Sequence, residues 1–193
     1  MPRISADTVA EHVAQQESAV FDAAIRLFLE RGYAAVGLGD IAAAVGLKRT
    51  SLYRYFPDKA HILARWLRRE LDAEAATSAE LLAGNGDIGS RIERWVDHQL
   101  AYARRPEHAL VRAAPEAERA LDDETRAGLA DGHRRLLAPL SDLLRASGLS
   151  DTEVAATTTL LFGLVRAAVD AEPSPALHQQ LSAAIGGLLA AVR

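Results

Sequence analysis

Val20, Ala23, Ala24, Leu27 and Phe28 fall at i, i+3, i+4, i+7 and i+8, one apolar stripe on a helix of 3.6 residues per turn. The same period recurs along nearly the whole chain, and no stretch alternates apolar and polar residues as a half-buried strand would. The fold is therefore expected to be all-α, with about nine helices. At 193 residues the chain is long enough to build one or two cores.

Glycine and proline set the expected breaks. The first stripe ends at Gly32, a residue suited to the left-handed backbone that closes a helix. Upstream, within residues 1–17, the segment 7–16 reads either as an extension of this helix or as a loose arm. Short helices are expected from Leu38 to Val45, closed by Gly46, and from Leu47 to Phe56, stopped by Pro57. Asp58 can cap the next helix, which carries Ile62, Leu63, Trp66, Leu67 and Leu71. The remainder divides into helices near 88–104, 107–119, 122–147, 150–171 and 176–192, with Pro139 expected to kink or break the third. The expected domains are 1–58 and 59–193.

The stretch from Leu38 to Tyr55, LGDIAAAVGLKRTSLYRY, carries the chemistry. Ala42 is small where two helices must touch, and Gly46 supplies the turn four residues later. Ile41, Val45, Leu47 and Leu52 occupy the core positions between. This is the spacing of a helix-turn-helix, in which one helix braces and the other is presented outward. The outward surface of the second helix holds Lys48, Arg49, Thr50, Ser51, Arg54 and Tyr55, the kinds of groups that bind phosphates and base edges.

Charge agrees. The net charge is −4, yet the segment from Lys48 to Lys59 carries four cations against Asp58 alone, so it is +3 and the rest of the chain −7. A basic tip on an acidic body suits a protein that meets phosphate at one end.

The run VFDAAIRLFLERGYAAVGLGDIAAAVGLKRTSLYRYFPDKAHIL resembles the DNA-binding domain of the TetR family throughout, over about residues 18 to 65. The shared features are an AA..LF..RGY first helix, a D-I-A-x-x-x-G second helix and an L-Y-x-x-F-x-x-K ending. The resemblance implies that Arg49, Thr50 and Ser51 face bases or nearby phosphates. It implies phosphate contacts from Tyr53, Tyr55 and Lys59. Two positions depart from the pattern: Gly37 stands where a capping Ser or Thr is usual, and Lys48 replaces a small hydroxyl residue.

The C-terminal body is less informative. Its last two long helices are apolar on more than one face, through Leu160, Leu161, Leu164, Val165 and Ala168, then Leu177, Leu181, Ile185, Leu188 and Val192. The resemblance implies that such a pair forms a homodimer's four-helix bundle, here through Leu160, Leu164, Leu181, Ile185 and Leu188. Two recognition helices about 34 Å apart would then reach successive major grooves of a palindrome in double-stranded DNA. The family also implies a pocket for a small-molecule effector among the middle helices. Trp66, Trp95, Tyr102 and Phe162 are large enough to line it, with His98, Gln99 and Thr158 as polar anchors.

Other functions find little support. There are no cysteines, and the six histidines show no metal-ligand spacing. No Gly-rich phosphate loop or nucleophile elbow is present. No metal, no cofactor and no enzymatic activity are therefore expected. The N-terminus lacks a continuous apolar stretch, and the run Leu181 to Val192 is short of the ~20 residues that cross a bilayer. These features, with the alanine- and arginine-rich composition, lead to the expectation of a cytoplasmic bacterial protein, and the resemblance implies a transcription regulator, most often a repressor. The alternative is a helical small-molecule carrier or scaffold with a non-functional helix-turn-helix.

Overall fold

The computed structural model describes residues 6–113 and 115–191, with side chains over 11–110 and 116–190. Ten helices and no strand are present among them. They are α1 (Ala6–Arg31), α2 (Leu38–Ala44), α3 (Arg49–Tyr53), α4 (Lys59–Ala83), α5 (Ile88–Ala103), α6 (Pro106–Ala113), α7 (Pro115–Ala120), α8 (Asp123–Ala146), α9 (Asp151–Ala168) and α10 (Pro175–Ala191).

The chain forms two compact units, and the division differs from the expected boundary at residue 58. One unit comprises Met1–Arg68 and Ala109–Leu129; the other comprises Arg69–His108 and Ala130–Arg193. The chain thus leaves the first unit within α4 and returns to it within α6, for α7 and the start of α8. Residues 6–17 continue α1 and are not a loose arm; residues 1–5 lie outside the described residues. Pro139 lies inside α8, which runs through it unbroken. The helix expected over 107–119 is two, α6 and α7, and Pro115 begins the second.

In the first unit, the stripe predicted for α1 is the core. Val20, Ala24, Leu27 and Phe28 are buried, together with Phe21, Ile41, Leu52, Phe56 and Ile62 from the neighbouring elements. Phe21 and Phe56 meet edge to face at 5.9 Å between centroids, a favoured aromatic geometry. Arg65 on α4 pairs with Glu17 on α1 and lies over the Phe56 ring at 5.0 Å.

The second unit is built on Trp95, Ile92 and Leu100 of α5, Leu140 and Leu144 of α8, Leu161 and Val165 of α9, and Leu181, Ile185 and Leu189 of α10. Arg104, just past α5, donates to the carbonyls of Ala168, Val169 and Ala171, and so closes the C-terminal end of α9.

Candidate functional site

The turn between α2 and α3 is fixed by backbone geometry. Gly46 adopts φ +68°, where a side chain would be strained. Its N–H donates to Ala43 O at 3.2 Å, and the N–H of Leu47 donates to Ala42 O at 2.8 Å. These are the paired bonds of a Schellman closure, and they aim the chain directly into α3. Gly37 offers no side-chain cap to α2. Asp40 supplies the complementary half, accepting from the Gly37 N–H at 2.8 Å.

Leu52 is fully buried and anchors α3 from beneath. Lys48, Arg49, Thr50, Tyr53, Arg54 and Tyr55 are all exposed, and Ser51 is half-buried. Tyr53 and Tyr55 keep 45% and 50% of their surface, high for large aromatic rings. The Arg49 guanidinium donates to the Tyr53 hydroxyl at 2.8 Å and lies 5.3 Å from that ring's centre. This hydrogen bond favours the arginine's charged form further. Of the sequence-predicted set, all but Ser51 and Lys59 are therefore exposed on α3 or beside its ends.

Lys59 departs from the expectation of a phosphate contact. Its ammonium donates to Tyr33 O at 2.5 Å, Val36 O at 2.9 Å and Ala34 O at 3.2 Å, and sits 4.3 Å from the centre of the Tyr33 ring. An ammonium has three N–H donors, and three carbonyls already take them. Lys59 clamps the α1–α2 connection to the first turn of α4. The Tyr33 hydroxyl beside it is pushed up to about 12 by burial, then by Asp58 and Glu116.

The residues predicted to form a pocket divide. Trp66 belongs to the first unit, and the others to the second. There the indole N–H of Trp95 donates to Ser78 Oγ at 3.1 Å, while the Gln99 amide donates to Ser78 Oγ at 3.1 Å and to Glu74 Oε1 at 2.8 Å. His98 Nε2 lies 2.7 Å from the same Glu74 oxygen. The Tyr102 hydroxyl is buried with no hydrogen-bond partner among the described residues, and burial, then Glu70 and Glu74, push its ionisation upward. Thr158 is bonded instead to Ser141 at 3.2 Å, and Phe162 is half-buried.

Sequence reasoning missed Glu74 and Ser78, which are 6% and 0% exposed. The signal was available: they follow Leu71 and precede Leu82 at i+3, i+7 and i+11, polar groups set into an apolar stripe.

Of the five predicted dimer residues, Leu160, Leu164 and Leu188 line an open apolar surface with Thr159, Gly163, Ala184 and Gly187. Leu160 is 52% exposed. Leu181 and Ile185 do not belong to that surface. They are buried in the core of the second unit, because α10 turns the stripe 181, 185, 189 inward and presents 184, 187 and 188 on another side.

Residues 20–65 match the family model "Bacterial regulatory proteins, tetR family". Residues 20–65 thus carry the DNA-binding domain of the TetR family. Over 82 residues it is 33% identical to the HTH-type transcriptional repressor LfrR of Mycolicibacterium smegmatis, covering 42% of each chain. Over 71 residues it is 34% identical to the repressor KstR of the same organism, covering 36% of this chain and 35% of that one. These matches span less than half the length of the curated relatives. In fold, the chain resembles a TetR-family transcriptional regulator of Mesorhizobium loti with a TM-score of 0.74, at 16% identity, covering 92% of this chain and 96% of the other. No described helix is long and apolar enough to cross a membrane, and no described cluster of His, Asp and Glu has the makings of a metal site.

Proposed function

We propose that the chain is a ligand-responsive transcription repressor that binds a palindromic DNA operator as a homodimer. The observation that carries this reading is the exposed, hydrogen-bonded pair Arg49 and Tyr53 on α3, with Arg54 and Tyr55 exposed just past it and Leu52 buried as the anchor. Cations and phenols held on a short helix, backed by a rigid turn, suit phosphate binding and major-groove base edges.

The open apolar surface around Leu160, Leu164 and Leu188 supports pairing of two copies, since a large exposed apolar patch marks an interaction site. Two copies would present two α3 helices to successive grooves. The network of Glu74, Ser78, Gln99 and Trp95, with the unsatisfied Tyr102 hydroxyl, supports an effector site within the second unit. Effector binding would act by population shift, lowering operator affinity by its preference for the conformation that does not fit DNA.

Selection of bound duplexes from random DNA by the purified chain tests the reading. An enriched inverted repeat is the expected result. Selection from protein refolded free of co-purified small molecules that still enriches no sequence would overturn it.

A further inference from the structure

We propose that His61 is a proton-dependent latch, joining the first turn of α4 to the α7–α8 connection through Asp122. The imidazole is nearly enclosed, with 13% of its side chain exposed, and both ring nitrogens are occupied. Nδ1 lies 2.9 Å from Asp58 Oδ1, and Nε2 lies 3.3 Å from Asp122 Oδ2. Asp58 and His61 belong to one turn, because Asp58 also caps α4 by accepting from the His61 backbone N–H at 3.0 Å. Asp122 is 61 residues away in sequence, yet both lie in the first unit. A neutral imidazole has a single N–H and can donate to only one carboxylate; the imidazolium donates to both. The bridge is complete only when the ring is charged.

The surrounding charges agree. Burial alone would disfavour a charged ring, but hydrogen bonds to Asp58 and Asp122 and the charges of both outweigh it and raise its pKa above the ordinary 6.5. Asp122 is held down to about 2, chiefly by the amide and hydroxyl of Thr125 and then by His61, so it remains ionised throughout the neutral range. Among the other groups near this turn, the Lys59 ammonium is committed to carbonyls, Asp123 is paired with Arg126, and Glu116 of α7 adds negative charge beside Tyr33. The local balance favours the imidazolium. Because the latched pKa is the higher one, the latch is fully present below pH 6.5 and is lost as pH climbs through the raised value.

Asp122 immediately precedes α8, which begins in the first unit and supplies Leu140 and Leu144 to the core of the second. The latch therefore holds, against the first turn of α4, the end of a helix that both units share. An effect on operator affinity rests on the proposed function; the latch itself does not.

The test follows the His61 ring by NMR through a pH titration of the full chain, in the wild type and in Asp122→Asn. It also compares amide hydrogen exchange over residues 121–126 in the wild type and His61→Gln, below and well above the His61 midpoint. A midpoint that moves down towards 6.5 in Asp122→Asn is expected. Exchange in His61→Gln should be faster than wild type at the lower pH and equal to it at the higher. An unchanged midpoint together with identical exchange at both pH values would overturn the latch. Neither readout involves DNA, so this failure is separate from failure of the DNA-binding reading.

Discussion

Arg49 donates to the hydroxyl of Tyr53 one turn further along α3, at 2.8 Å, and both side chains stand on the exposed side of that helix. The tyrosine thereby limits the directions in which the guanidinium points. An arginine held this way is suited to bidentate contact with guanine, which depends on orientation as well as charge. Arg49→Ala should weaken binding to a selected operator by about 1–3 kcal/mol and relax preference at one base position. Tyr53→Phe should relax the same position with a smaller loss, of about 0.5–1.5 kcal/mol, the scale of one hydrogen bond. Binding to single-base operator variants checks both, and an unaltered base preference in Arg49→Ala would remove it from the base-reading role.

Lys59 and Lys48 are the chain's only lysines, and they should behave oppositely. Lys59→Met leaves the carbonyls of Tyr33, Ala34 and Val36 without their donor and should destabilise the first unit by about 1–3 kcal/mol. The slope of log affinity against log salt should stay unchanged, because no phosphate contact is lost. Lys48→Ala should reduce the magnitude of that slope by about 1 while leaving the folding midpoint in place. Denaturation curves and salt titrations of the two variants decide the matter.

Ser78 accepts from both Trp95 and Gln99 in a fully buried position. Ser78→Ala should therefore destabilise the second unit by about 1–3 kcal/mol through unmet donors. Adding Trp95→Phe removes one of those donors, so the double variant should be less destabilised than the sum of the two single changes. Urea denaturation of the four proteins gives the coupling directly.

Leu160 and Ile185 separate assembly from folding. Leu160→Glu places a charge on an exposed apolar surface and should abolish the proposed dimer with little change in helix content. Ile185→Ala empties a buried site and should lower stability by about 2–5 kcal/mol, with dimerisation kept in the fraction that folds. Sedimentation velocity distinguishes the two outcomes.

What the sequence disclosed was mostly local. The turn from Ala42 to Leu47 depends on residues within one loop, and spacing was enough to place it. Periodicity does not tell which apolar residues of α10 face inward, because they occupy more than one face; packing against α5 and α9 buries Leu181 and Ile185. The role of Lys59 depends on carbonyls 23 to 26 residues earlier, beyond the reach of any periodicity. Trp66 and Trp95 looked alike as large aromatics, yet α4 passes from one unit to the other just beyond Trp66. The His61–Asp122 bridge spans 61 residues and left no trace in local pattern.

The most direct test of the central claim is a salt titration of the full chain, once against a selected duplex and once against a scrambled one. The expected result is tight, sequence-dependent binding whose logarithm falls linearly with log salt, with a slope of about −0.9 for each phosphate neutralised. A slope near zero, or equal affinity for the two duplexes, would contradict it.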